Sequence, residues 1–395
     1  MILLALNELN LELLQGYIRE GKLKNFQTML KKGAVHTTSE NSYELLEPWI
    51  QWVTMQTGKS YEQHQIFRLG DIVERKDLNQ IFEVLEDDGL SIGAVSPFNA
   101  DNRLKDPKFF IPDPWTQTRS SGGFLIGKLS RTISRFVNNN ASGKNTYGDL
   151  MWLMLGFMAY VRVKRWIKFF KLVLNRNKPG AKAAILDMIL LEVFVTLQNK
   201  HNPDYSHLFF NGVAHVQHHY MFNSSQYKGS SSNPEWYCPS SWDPVLMMLE
   251  TYDAIVGDLL ETGKRIIAVT ALHQVPAEDK IYYWRPVAHR DFLKEAGVNG
   301  DFSVIPRMSR DFLIQTSSDD HATQIEEHLN QFVDSSENKP VFNVDNRGDS
   351  LFVEIIFGRD LDSEIYFIGP NEIKVKELKS KLAFVAIKNG KHHGL

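Results

Sequence analysis

Three histidines fall within five positions of FFNGVAHVQHHYMF, residues 209–222: His215, His218 and His219. On a helix the spacing i, i+3, i+4 puts all three on one face, where imidazoles can hold a metal ion, move a proton or form a solvated polar stripe. Other chemistry-capable residues follow apolar runs. Asn7 and Glu8 follow ILLAL, His273 follows IIAVTAL, and His392 and His393 follow LAFVAI. Glu47 precedes Pro48 at an expected helix start. Neutral histidines suit zinc or another late transition ion. Two carboxylates in one cleft can divide acid and base roles. Each residue also has a plain structural alternative. Glu8 and Glu47 suit helix N-termini, His273 could bond a loop carbonyl, and His392 and His393 could belong to a frayed tail.

These residues need a scaffold that gathers them. ILLAL (2–6) reads as a buried strand, and Asn10 to Lys31 as one amphipathic helix. Residues 49–57 and IFEVLEDDG read as helices, and LSIGAVSPF as a strand running into a loop. AAILDMILLEVFVTLQ and VLMMLETYDAIVGDLLETG read as helices, YSHLFFNG and the apolar part of KRIIAVTALHQVP as strands. Strands alternating with helices imply a mostly parallel sheet, which places ligands beyond the carboxyl ends of its strands. From about 100 to 150 the sequence reads as polar loops, with VNNNASGKN among them. Residues 224–244 read as a Ser/Pro/Trp-rich loop. Residues 280–380 read as a mixed insertion with short strands at SLFVEIIFG and SEIYFIG.

Residues 151–176, MWLMLGFMAYVRVKRWIKFFKLVLNR, interleave apolar and aromatic side chains with six lysines and arginines. This segment reads as a helix, either packed on the domain or lying on an anionic membrane surface. Its apolar half is too short to span a bilayer. Trp49, Trp52, Trp236 and Trp242 are candidates for a sugar-stacking surface or for core packing. Arg68, Asn99 and Arg103 could bind an anion.

Composition narrows the function classes. The chain has 395 residues, 43% hydrophobic and 23% charged, with net charge −3. That is ordinary globular composition and gives no argument for a nucleic-acid partner. The single cysteine, Cys238, cannot form an internal disulfide, and the default is a reducing, cytoplasmic compartment. The N-terminus lacks the basic region and cleavage site of a signal peptide.

The order of these segments resembles the alkaline phosphatase superfamily, in particular its type I phosphodiesterase/nucleotide pyrophosphatase branch. The resemblance covers 1–98, 183–275 and 383–395. It leaves 99–182 as a loop and basic aromatic helical insertion, and 276–382 as a mixed α/β cap insertion. EPWIQWVTMQTGKSYEQHQIF (47–67) is similar to the stretch where a nucleophile-bearing turn leads a helix ending in T-G-x-x-P-x-x-H-G-I, matched at Thr57, Gly58, His64 and Ile66. FFNGVAHVQHHYM is similar to D-x-x-Q-H-x-x-W, the stretch ending in TALHQ to the one ending in S-D-H-G, KHHGL to the late H-G element, and ILLALNEL to the first strand. The resemblance implies an alkaline-phosphatase-like α/β core with inserted cap elements, and two metal ions at the strand ends.

Residue by residue, the histidines match and the aspartates do not. The metal-binding aspartates fall on Asn7, on Ala214 with His218 (or, in an alternative register, on Asn211 with His215) and on Leu272, the late histidine on His393 or on His392 one residue earlier, and the nucleophile near Pro48. Two divalent ions need several carboxylates to offset their charge, and only Glu8 and Glu47 lie near. The expectation is no metal, or one divalent ion, zinc by preference, with His218, His393, His215 and Asn7 as the ligand candidates. Glu8, Glu47 and His273 are the catalytic candidates.

Three functions follow. One is a hydrolase or transferase acting on a phosphate, sulfate or related ester, with a surface polysaccharide or a lipid-linked anionic precursor as substrate. The second is an inactive relative that binds a glycan or partner protein. The third is metal-free catalysis by Glu8, Glu47 and His273. The ordinary phosphodiesterase activity of the family is not expected. Thr54 is the one hydroxyl considered as a nucleophile, about two helical turns past the expected position.

Overall fold

The computed structural model describes residues 1–40, 42–138, 146–307 and 309–394. Residues 139–145, within the expected VNNNASGKN loop, lie outside the described residues. The chain divides into two units. The first holds the chain up to residue 277 and residues 389–394, and the second holds 278–388.

The first unit is built on a five-stranded parallel sheet. Its strands are β1 (Ile2–Leu6), β2 (Ile92–Val95), β3 (Phe109–Ile111), β4 (Tyr205–Phe210) and β5 (Ile266–Val269), in the order β3-β2-β4-β1-β5. All residues of β1, β2 and β4 are buried, as continuous apolar runs in a parallel sheet require. Side-chain alternation splits β1 between two cores. Ile2, Leu4 and Leu6 pack with one helical layer, while Leu3 and Ala5 join clusters containing Phe82 and Trp52.

The helices of this unit are α1 (Leu11–Arg19), α2 (Lys24–Leu30), α3 (Pro48–Thr57), α4 (Tyr61–His64), α5 (Ile81–Asp87), α6 (Phe124–Asn138), α7 (Tyr147–Tyr160), α8 (Trp166–Leu174), α9 (Ala181–His201), α10 (Gly212–Tyr220) and α11 (Pro244–Leu260). Together sheet and helices make the α/β architecture expected from the alternating segments.

Three expectations change. The single helix over 10–31 is two helices, separated where Gly21 takes the left-handed φ of 77°. The expected loop region contains a strand and a 15-residue helix, α6. Ile126, Leu129 and Ile133 bury its inner face, a helical spacing hidden among Ser, Gly and Asn. The continuous helix over 151–176 breaks at Val161 and Arg162, whose backbone is extended. There the Arg162 amide and guanidinium both turn to the carboxylate of Glu192, a residue of α9 with 0% exposure.

The chain leaves the first unit along β6 (His273–Pro286), which pairs with the returning strand β14 (Leu382–His393). The second unit contains a four-stranded antiparallel sheet of β7 (Phe302–Pro306), β8 (Asp311–Thr316), β10 (Phe342–Asn346) and β11 (Ser350–Ile355), and a small three-stranded antiparallel sheet of β9 (Val333–Asp334), β12 (Phe367–Ile368) and β13 (Lys374–Val375). The helix Asp319–Leu329 packs on this sheet around Phe312, Ile314, Leu351 and Val353. No helix among the described residues is long and apolar enough to cross a membrane.

Candidate functional site

Strand register builds the site. In the pairing of β1 with β4, Leu6 stands opposite Phe210. The next residues, Asn7 and Asn211, therefore emerge side by side at the carboxyl edge. The Asn7 amide N–H donates to the Phe210 carbonyl at 3.0 Å, and Asn7 Nδ2 to Asn211 Oδ1 at 2.7 Å. Asn7 Nδ2 also donates to Glu8 Oε1 at 2.9 Å, and Asn7 Oδ1 accepts from the indole of fully buried Trp52 at 2.7 Å. Asn7, expected as a metal ligand, thus has its amide committed on both sides. It positions Glu8.

Glu8 adopts φ 54°, a left-handed conformation uncommon for a residue with a side chain. The turn sends its carboxylate into the protein, with 3% of the side chain exposed. The next turn is set by Asn10, whose Oδ1 caps α1 by accepting from the Leu13 amide. Gln217 Nε2 holds the Glu8 carbonyl at 2.7 Å, and Gln274 Nε2 the Glu8 Oε2 at 2.5 Å.

Two imidazoles meet the same carboxylate oxygen. His218 Nε2 lies 2.8 Å from Glu8 Oε2 and His392 Nε2 3.2 Å from it. The two rings are 5.2 Å apart. His392 Nδ1 lies 3.5 Å from Glu47 Oε2, where Glu47 stands at the N-cap of α3. Burial acts to raise the Glu8 pKa. The charge of His218 and His392 and their hydrogen bonds outweigh it and hold this carboxyl well below the usual carboxylate range.

Among the described residues, Glu8, His218 and His392 are the only His, Cys, Asp or Glu group able to present three ligand atoms within 4.8 Å of one another. Their chemistry fits one divalent ion. Tetrahedral zinc with bonds of about 2.0–2.1 Å places its donors roughly 3.3 Å apart, close to the spacing found here. Glu47 beside the other nitrogen of His392 completes a carboxylate–histidine pair of the kind that orients metal-binding imidazoles. With one carboxylate, the site does not offset the charge of two divalent ions.

The remaining candidates fall elsewhere. Neighbouring residues on a strand point to opposite faces. Since His392 turns to Glu8, His393, the expected late ligand, is carried to the other side. Its ring lies 4.9 Å from His273. Burial lowers the His273 pKa, the nearby His393 lowers it further, and Glu12 pulls the other way. His215, also an expected ligand, is exposed on α10 and meets His219 edge to face at 4.9 Å. Ala214 and Leu272, at the expected aspartate positions, are buried.

Thr54 meets His64, with its hydroxyl 3.1 Å from His64 Nε2. His64 Nδ1 accepts the Ile66 amide N–H at 3.0 Å. In the neutral ring the proton therefore sits on Nε2 and points at Thr54. Burial lowers the His64 pKa to about 4, so the ring is neutral at pH 7. It is a donor to Thr54, not a base for it.

Arg103 is held by Glu83, Asp101 and the Leu78 carbonyl, and Asn99 by Gly70 and Trp49, so neither is a ready anion site. Trp52 is in the core and Trp242 is tied to the Pro179 carbonyl, whereas Trp236 is exposed. Cys238 is buried, and its thiol is pushed up to about 12 by burial and by Asp243 and Glu235, leaving it inert.

The sequence reading passed over Gln217 and Gln274 as supports of Glu8. Both had a signal, since each is adjacent in sequence to a singled-out histidine. Gly390 had none. A Cβ there would meet Gln274 Oε1 at 2.3 Å and the Gln217 carbonyl at 3.1 Å, so only glycine lets β14 approach.

No family model matches the sequence, and no curated protein matches it. Two solved structures of phosphonoacetate hydrolase from Sinorhizobium meliloti 1021, with phosphonoacetate and with phosphonoformate, are similar to this chain at 12% identity. They match over 99% and 100% of this chain and 89% of theirs, each with a TM-score of 0.39. A likeness this loose assigns neither fold nor chemistry.

Proposed function

We propose that this chain is a hydrolase or transferase for a phosphate, sulfate or related ester, working with one divalent ion in an alkaline-phosphatase-like core. The observation that carries this reading is the convergence of Glu8, His218 and His392 at the carboxyl edge of the parallel sheet. Zinc is the preferred ion for one carboxylate and two imidazoles. Bound there, it would supply Lewis-acid polarisation of the ester oxygens.

The protein's own groups do the rest. Asn7 and Gln274 fix the Glu8 carboxylate, and Glu47 fixes the tautomer of His392. His273 lies with His393 on the other side of the strand from Glu8, so it is not part of this set. The helix start that would carry a hydroxyl nucleophile has Pro48 instead, so water or an acceptor hydroxyl attacks the phosphorus or sulfur directly and gives its proton to solvent, while the bond to the leaving oxygen breaks and that oxygen takes a proton from solvent, without a covalent intermediate at that position. A surface polysaccharide or its lipid-linked precursor is the substrate class that the basic aromatic segment favours.

A second reading has its own observation. Leu272 is fully buried where the family places an aspartate, which supports a chain that keeps the cleft to bind a glycan or partner without turnover. Metal content of the purified protein and hydrolysis of aryl phosphate and sulfate esters with added zinc or manganese separate the two. The enzyme reading expects one equivalent of metal and turnover abolished by His218→Ala. Absence of both favours the binder.

A further inference from the structure

Helices α7 and α8 show an arrangement that the site does not use. On α7, Tyr147, Met151, Met154 and Met158 recur at helical spacing, and their exposures run from 49% to 95%. Leu150 and Leu155 widen the same outward stripe. The helix has one charged residue, Asp149, which is buried and paired with Arg135. Helix α8 repeats the pattern with Ile167, Phe170 and Leu174, each more than 60% exposed. Phe157 packs against Trp166 and Phe169, so the two helices share an inner contact while their apolar outer faces remain in solvent. Soluble monomers rarely expose apolar surface in so contiguous a run.

Charge selects the occupant. Between Asp113 and Asp187 the sequence holds one acidic residue and thirteen lysines and arginines, in a chain whose net charge is −3. Lys164, Lys171, Arg176 and Lys178 are exposed around α8. A second copy of this chain would bring the same cations face to face across a two-fold axis. An anionic bilayer offers apolar depth and negative charge together. A 14-residue helix is about 21 Å long, short of the roughly 30 Å hydrocarbon core, so α7 lies in the interface and does not cross it.

We propose that α7 and α8 form a docking face for an anionic lipid bilayer, lying in its interfacial plane. The pair is anchored for this. Arg162 and Arg165 reach into Glu192 and Asp258 on α9 and α11, which fixes the helices to the sheet domain while leaving the outer side chains free.

The test is vesicle flotation of the full chain. Phosphatidylcholine vesicles are compared with vesicles containing about 30% phosphatidylglycerol, at about 0.1 M and about 0.5 M salt. The protein should float with the anionic vesicles only, and less at high salt. The triple variant Lys164→Glu, Lys168→Glu, Lys171→Glu should weaken partitioning about 100-fold or more. The pair Met154→Glu, Ile167→Glu should abolish it. Lys164 lies in the turn just before α8 and the other positions lie on the outer helices, and circular dichroism with a thermal melt confirms that each variant is folded. No flotation with anionic vesicles overturns the proposal. So does flotation unchanged in folded variants, or a dimer in light scattering that Met154→Glu, Ile167→Glu disperses.

Discussion

The carboxyl edge of the central sheet and the α7–α8 helices treat charge in opposite ways. At the sheet edge, Glu8, Glu47, His218 and His392 come from four distant parts of the chain and meet at 2.8–3.5 Å. The Glu8 carboxylate is buried and is itself held by the side-chain amides of Asn7 and Gln274. On α7–α8 the cations are neighbours in sequence and point to solvent, and apolar side chains stand outside where polar ones are usual. The first is a product of strand register and turn geometry. The second is a product of local composition. Substitutions should therefore cost fold stability and site chemistry in the first region, and surface binding in the second.

The ion-pair anchor between the two regions gives the largest expected effect. Arg162→Ala leaves Glu192 buried without its bidentate partner, and loss of one member of such a pair costs about 3–5 kcal/mol. Urea denaturation measures it. Lys171→Ala, on the exposed side of α8, should change stability by less than about 0.5 kcal/mol in the same assay. Equal costs would erase the contrast.

A buried acid next to the site comes second. Asp187 on α9 accepts from the Tyr252 hydroxyl at 2.6 Å and the Gly212 amide at 2.9 Å, below the start of α10. Burial raises its pKa to about 7, against those two hydrogen bonds. A raised folded pKa contributes stability at low pH, fully present below the unfolded value near 4 and lost as pH rises through about 7. Asp187→Asn keeps a carbonyl acceptor and removes the charge. It should raise stability at pH 8 by about 4 kcal/mol at most, with little change at pH 4. Thermal melts at the two pH values check this. A pH-independent effect would mean that Asp187 is not neutral in the fold.

The third effect is smaller and local. Gly390→Ala pushes a methyl group against Gln274, costing about 1–3 kcal/mol and displacing the amide that holds Glu8. Loss of zinc affinity larger than the loss of stability is the expected outcome in titration calorimetry. Unchanged affinity would remove Gln274 from the site.

The architecture was legible because its signals are local. Continuous apolar runs marked β1, β2 and β4, and helical periodicity marked α9 and α11. The break at Arg162 was not legible, since it depends on Glu192, thirty residues away. The site was half legible. His218 and Glu8 stood out by type and position. The choice between His392 and His393 turns on strand phase relative to Glu8, which only the pairing of β6 and β14 fixes. The roles of Gly390 and of the left-handed Glu8 turn are backbone facts with no sequence pattern of their own.

The central claim is that Glu8, His218 and His392 hold one divalent ion. Zinc titration calorimetry of the wild type, His392→Ala and His393→Ala tests it most directly. One equivalent should bind to the wild type and to His393→Ala with closely similar affinity, and binding to His392→Ala should weaken at least about 100-fold, the upper range for losing even a supporting partner. Binding lost with His393→Ala and retained with His392→Ala, or no binding to the wild type, would contradict it.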